Sequence, residues 1–179
     1  MWICDSSKKE IKEVLTNPNE PSKELDQCMA YVSKSICKIR YENQTATGFL
    51  IRLYKGEKEF FCMMTCEHVI TRAMIQQRKT ISFYYDSINF KTKGIELDPN
   101  KRFIQDFIKL YEIDKNIDIN IDATVIEILP EDNIPKEFYL TLNEDYIDNY
   151  DDLKGKEIAI MQYPEGKLKY SYGKIKEID

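Results

Sequence analysis

The sequence predicts an all-β protein, an antiparallel barrel or sandwich entered through two short helices. Three observations predict it. Short apolar stretches alternate with a period of two over most of the chain. Clusters of Gly, Pro, Asn and Asp separate those stretches at short intervals. Ahead of Ser35 the apolar spacing is helical, and from Ser35 it becomes strand-like.

Residues 6–16, SSKKEIKEVLT, read as the first helix: Ser6 or Ser7 can cap it, and Glu10 lies at capping-box spacing from Ser7. Asn17-Pro18-Asn19-Glu20-Pro21 breaks it. Residues 22–34 give a second helix with Leu25, Cys28, Met29 and Val32 on one face. Strands then follow. SICKIRYEN from Ser35 alternates, Gln44–Gly48 is small and polar and reads as a turn, and Gly48–Leu53 is the next strand. Lys55-Gly56-Glu57-Lys58 is a hairpin tip with Glu59–Thr65 returning, and a short helix is expected over His68–Gln76. Further strands are predicted at Thr80–Tyr85, Ser87–Lys91 and Gly94–Leu97, with a helical turn or irregular loop over Asn100–Lys109. Ile121–Leu129 is the most strongly β segment. A polar loop, a short Phe138-Tyr139-Leu140 stretch and an acidic linker over Asn143–Asp152 lead to a strand at Gly155–Met161. A turn at Tyr163–Gly166 and one or two strands over Leu168–Ile178 end the chain.

Composition narrows the function classes. The 179 residues are 42% hydrophobic and 32% charged, which suits a packed core and argues against global disorder. The net charge is −5 with both signs interspersed, so there is no concentrated basic face to hold nucleic acid. No apolar run reaches the roughly 18 residues of a membrane span, and no apolar h-region marks a secretory signal. Five cysteines, an odd number without framework spacing, point to free thiols and a reducing, cytoplasmic setting.

The only histidine, His68, sits in CMMTCEHVIT where a strand gives way to a helix. An imidazole ordinarily titrates at about 6.5 and can serve as a general base. To do so it needs a carboxylate that holds its tautomer and stabilises the cation. Asp122, opening the Ala123-Thr124-Val125-Ile126 strand, is the first candidate, and Asp118 in IDINIDA is the second. The plain alternatives are a hydrogen-bonded structural histidine and a polar strand end. A metal site from Cys62, Cys66 and His68 is not expected, because Cys62 and Cys66 on an extended strand lie about 13 Å apart at roughly 3.3 Å per residue. A Cys66–His68 nucleophilic pair is not expected either, since neighbours two apart seldom meet. No cofactor is expected.

Taken together, these stretches resemble the trypsin-like, chymotrypsin-fold serine peptidases. Thr47-Gly48-Phe49-Leu50-Ile51, a hairpin, and Met64-Thr65-Cys66-Glu67-His68-Val69-Ile70 match the family's strand and histidine motif. Asp122-Ala123-Thr124-Val125-Ile126, 54 residues after His68, fits the family's aspartate strand, and Asp118 fits it poorly. Gly155–Ile160, Tyr163–Gly166 and Tyr172–Ile175 are similar to the opening strands of the second barrel. Val69 stands where secreted members carry a disulfide cysteine, in keeping with a reducing compartment. The resemblance covers Ser35–Asp179. It implies an antiparallel chymotrypsin-like barrel over 35–142, a helical extension over 1–34, and an incomplete second barrel over 143–179. It also implies His68 as general base, Asp122 as its orienting acid, and a polypeptide substrate.

The sequence departs from the family in one respect. After Asp122 there is no Gly-x-Ser-Gly or Cys-Gly turn, and Ser171 falls in a strand-like stretch. The nucleophile and oxyanion hole are therefore expected outside this chain, which reads as the N-terminal portion of a serine endopeptidase inactive alone. Its partners would be the complementing C-terminal segment or another chain that covers open strand edges. The alternatives are a non-catalytic protease-like barrel that binds proteins, and an unrelated β domain in which His68 lies more than about 10 Å from any carboxylate.

Overall fold

A computed structural model describes residues 22–86, 89–107, 122–142 and 153–176. The expected helix over 6–16, the linker over Asn143–Asp152 and Asp118 lie outside the described residues. Helix α1, Lys23–Val32, starts where the Ser22 hydroxyl accepts the Leu25 N–H at 3.2 Å. Met29 is buried, with Leu25 and Val32 half-buried beside it. Cys28, expected on that face, is exposed because it lies on the flank of the 25-29-32 stripe.

Strands β1 (Ile36–Tyr41), β2 (Gln44–Lys55) and β3 (Lys58–Thr65) form two successive hairpins. The chain reverses at Glu42-Asn43, with Glu42 in the left-handed region (φ 51°), and at Gly56-Glu57, with Gly56 there too (φ 60°). The turn predicted over Gln44–Gly48 is therefore strand: those polar residues pair with Tyr41 back to Cys37, with Gln44 and Thr45 facing solvent. Solvent exposure, not a turn, accounts for their polarity. Helix α2 is only Arg72–Gln76, capped by the Thr71 side chain, so His68 precedes it. Strand β4 (Thr80–Tyr85) buries Ile81, Phe83 and Tyr85 on one face.

Strand β5 (Lys91–Glu96) is single where two strands were predicted; Asn89 sits in a turn instead. Residues 104–106 of the ambiguous loop form β6 (Ile104–Asp106), and β7 is confined to Thr124–Glu127. Strand β8 (Leu140–Thr141) pairs in parallel with β2 at Ile51 and Arg52, beyond the reach of β1 on the same edge.

The sheet runs β5-β4-β1-β2-β3-β7-β6 and, β8 apart, is antiparallel. Its two end strands, β5 and β6, are consecutive in the chain and joined by 97–103. Along that stretch Leu97 N–H donates to Lys79 and Phe103 C=O accepts from Glu127. One bent length of chain thus pairs with β4 at its start and with β7 at its end, and the sheet curls around its apolar face. Ile39, Leu50, Met63, Ile70, Ile81, Phe83, Leu97 and Ile126 are fully buried within it. Phe61, Tyr85, Phe138 and Tyr139 pack edge-to-face, Phe61 on Tyr139 and Tyr85 on Phe138.

Strands β9 (Glu157–Gln162) and β10 (Lys169–Lys174) make a separate two-stranded hairpin. A 3₁₀ turn at Pro164–Gly166 joins them. It docks on the large sheet through the Tyr163 N–H, which donates to the Thr47 hydroxyl at 2.8 Å, while Ser22 at the start of α1 donates to Glu157 on β9. Among the described residues no helix is long and apolar enough to cross a membrane.

Candidate active site

His68 lies in the turn between β3 and α2, where the Cys66 carbonyl accepts the N–H groups of Val69 and Ile70 at 3.2 and 3.3 Å. The turn is pinned on both sides. Before it, the Thr65 hydroxyl donates to the Thr47 carbonyl on β2 at 2.8 Å. After it, Ile70 is fully buried, and its carbonyl accepts the hydroxyl of the fully buried Thr124 at 3.0 Å. Thr124 pairs with Thr65 in the β3–β7 ladder and stands two residues after Asp122. The same strand pair thus fixes where the histidine turn starts and where the aspartate leaves the sheet.

This architecture brings His68 and Asp122 together. The His68 Nδ1 lies 2.5 Å from Asp122 Oδ2, and Asp122 Oδ1 accepts the His68 backbone N–H at 3.0 Å. Both carboxylate oxygens are therefore used on one residue. Asp122 was expected in a buried strand; it is exposed and precedes β7, whose Thr124, Val125 and Ile126 are buried after Ala123. Partial burial pushes its carboxyl up. The His68 backbone and side-chain hydrogen bonds, with the Glu67 N–H, outweigh that and hold it below the usual Asp range. Asp118, the second candidate, lies outside the described residues.

A second carboxylate stands nearby in the ladder: Asp106 on β6 pairs with Thr124. Arg72, one residue past the α2 cap, takes it in a two-point contact at 2.7 and 3.3 Å. This ion pair leaves Asp122 to serve the imidazole.

Sequence reasoning weighed Cys66 with Cys62 and His68, or with His68 alone, and not with His68 and Asp122 together. Cys66, His68 and Asp122 present ligand-type atoms that all lie within 4.8 Å of one another. Cys66 and His68, two apart, come this near where the chain at 66–70 forms a turn. Cys62, by contrast, is fully buried in β3, its thiol pushed up to about 12 by burial, and Cys37 is likewise buried and raised. Neither buried thiol is available as a nucleophile. Thr124 and the Arg72–Asp106 pair were also missed; the Thr65–Thr124 register was the signal, and it needs the strand pairing to be known.

An open pocket of about 300 Å³ adjoins the imidazole, lined by Ile39 and Tyr41 of β1, Gln44, Thr45 and Ala46 of β2, and His68 with Val69. Ser171 is in mid-strand on β10, opposite Ile160. The arrangement supplies an oriented imidazole with an ionised partner and room beside it for a reacting group. The chain matches no protein-family model, no curated protein and no solved structure.

Proposed function

We propose that this chain is the base-bearing portion of a trypsin-like serine endopeptidase, with the attacking serine carried outside residues 1–179. The observation that carries this reading is the two-point hold of Asp122 on His68, at 2.5 Å to the ring and 3.0 Å to the backbone. The ring contact fixes Nδ1 as the proton-bearing nitrogen and leaves Nε2 with a lone pair for an incoming hydroxyl. His68 then takes the serine proton as the oxygen attacks the scissile carbonyl, and returns it to the departing amine. Asp122 stays ionised throughout and stabilises the imidazolium.

The strand order supports the same reading. An antiparallel sheet that runs β4-β1-β2-β3-β7, with a bent β5–β6 length touching both of its ends, suits a six-stranded closed barrel. The β9–β10 hairpin, docked on β2 through Thr47, suits the start of a second barrel. Two strands alone leave outer edges that need cover, which is the place for a complementing segment. The same open hairpin favours the second reading, a protease-like barrel that binds another protein without cutting it.

The test joins to this chain the segment encoded after Asp179, if the reading frame continues. Cleavage of a peptide library and labelling by a serine-directed fluorophosphonate are then measured. The peptidase reading requires both, with His68→Ala abolishing turnover while leaving the fold. A frame that ends at Asp179, with a stable complex on a second protein, moves the assignment to the binding module.

A further inference from the structure

The site holds a donor set that general-base chemistry does not need. Cys66, half-buried, lies with His68 and Asp122, both exposed, so that their ligand-type atoms are all within 4.8 Å. A thiol, an imidazole and a carboxylate from two chain segments are three of the donor types that zinc takes. The thiol makes the set too soft for magnesium or calcium, which prefer oxygen.

Two further features suit an ion. The carboxylate is already oriented, because Asp122 accepts the backbone N–H of His68 at 3.0 Å; such outer contacts hold metal ligands in place. The turn that carries Cys66 and His68 is anchored at Thr65 and Ile70, so the two donors keep their spacing without help from the ion. Exposure of His68 and Asp122 gives an ion a path from solvent.

We propose that Cys66, His68 and Asp122 bind one zinc-class divalent ion, and that the bound ion switches the catalytic pair off. On binding, the Cys66 thiol releases one proton to solvent as its sulfur bonds the metal. The imidazole and the carboxylate bind in their neutral and ionised forms and release none. Three protein ligands leave a fourth position for water. The ring that must move a proton and the carboxylate that orients it are then both held by the ion. The inhibitory half of this inference rests on the peptidase reading; the binding half does not.

Cobalt(II) is the probe for the reduced chain, because thiolate coordination to it gives a charge-transfer absorption in the near ultraviolet. The expected result is a band that saturates at one equivalent and is bleached by zinc. Cys66→Ser removes the band and weakens zinc binding by at least about tenfold, the lower bound seen for losing even an outer-sphere partner. Cys28→Ser, which alters an exposed thiol on α1, leaves the band intact. No band at saturation, or one that survives Cys66→Ser, overturns the site. In the completed protein, hydrolysis indifferent to saturating zinc overturns the inhibitory role. Cobalt binding without any hydrolysis in that protein removes the peptidase reading and leaves the metal site standing.

Discussion

Asp122 grips His68 twice, with Oδ2 at 2.5 Å from the ring Nδ1 and Oδ1 at 3.0 Å from the backbone N–H of the same residue. The backbone contact fixes the carboxylate in space, and the ring contact then fixes the imidazole. With the two side chains 70% and 50% exposed, the attraction between them adds less than about 1 kcal/mol to stability. The geometry serves orientation.

That separation of roles predicts the behaviour of Asp122→Asn. Its unfolding midpoint stays close to that of the parent. Because the chain has one histidine, proton NMR reads the site directly. The parent shows a strongly downfield ring N–H resonance that Asp122→Asn loses. If the proposed peptidase is reconstituted with a serine-bearing segment, its rate is expected to fall by roughly 10⁴, the size of the effect when an orienting aspartate becomes an amide that favours the wrong tautomer. A downfield signal that persists in the variant removes Asp122 from this role.

Thr124→Val tests what holds the two halves of the site in register. The Thr124 hydroxyl, fully buried, donates to the Ile70 carbonyl, and valine leaves that acceptor without its partner. The expected cost is about 1–3 kcal/mol in chemical denaturation. If Thr124 positions the site, Thr124→Val also moves the His68 resonance and, under the peptidase proposal, lowers kcat more than it raises KM. Destabilisation with an unchanged His68 spectrum would confine Thr124 to the core.

Much of this site was legible in the sequence because its main signal is local. Thr65, His68, Val69 and Ile70 lie within six residues, and the motif they form carries the turn with it. Asp122 stood out as a carboxylate opening an apolar strand, and the likeness of that strand to a family pattern favoured it over Asp118, since nothing near residue 122 mentions residue 68. The grouping of Cys66 with His68 and Asp122 was not legible, because it needs the turn at 66–70 and the place of Asp122 to be known together. A confusion of polarity with conformation assigned Gln44–Gly48 to a turn, although an exposed stretch of strand is polar too. The break between β5 and β6 followed from no pattern of two, because 97–103 is irregular and is tied to neighbouring strands only at its ends, through Leu97 and Phe103.

Gly48 carries a steric prediction. A Cβ there would stand 2.8 Å from Ile39 Cδ1 and 3.1 Å from the Met64 carbonyl oxygen. Ile39 is buried in the core and Met64 is held in the β2–β3 ladder, so neither yields freely. Gly48→Ala is expected to cost about 1–3 kcal/mol through overpacking. Thermal unfolding checks it. An unchanged midpoint means that Ile39 has another rotamer open to it.

Arg102 and Asp132 form a buried ion pair at 2.8 Å, each side chain 7% exposed. Arg102 also donates to the Glu127 carbonyl at 2.9 Å, and Asp132 accepts the Leu129 N–H at 2.8 Å, so the pair ties the 102 turn to the end of β7. The Arg102 Nε is buried without a hydrogen-bond partner among the described residues. Asp132→Ala strands a buried guanidinium and is expected to cost about 3–5 kcal/mol. Replacing both residues with leucine removes the stranded charge and recovers much of that loss. A double variant as unstable as the single one would show that the backbone contacts, not the charge, dominate.

Acid unfolding tests the second carboxylate. The Arg72 hydrogen bond holds Asp106 below the usual Asp range, overcoming the opposing push of partial burial. Asp106 binds a proton more weakly folded than unfolded, so as pH falls the unfolded chain is protonated first. The stability from this pair is present above the ordinary Asp value of about 3.9 and drains as pH drops through it to the folded value. Arg72→Met removes the cause of the shift. The variant should be less stable than the parent at pH 7, and the difference should close on acidification, as read from urea midpoints along the pH series. A gap of constant size down to the acid limit would assign the loss to packing of the Arg72 stem on the turn and not to its charge.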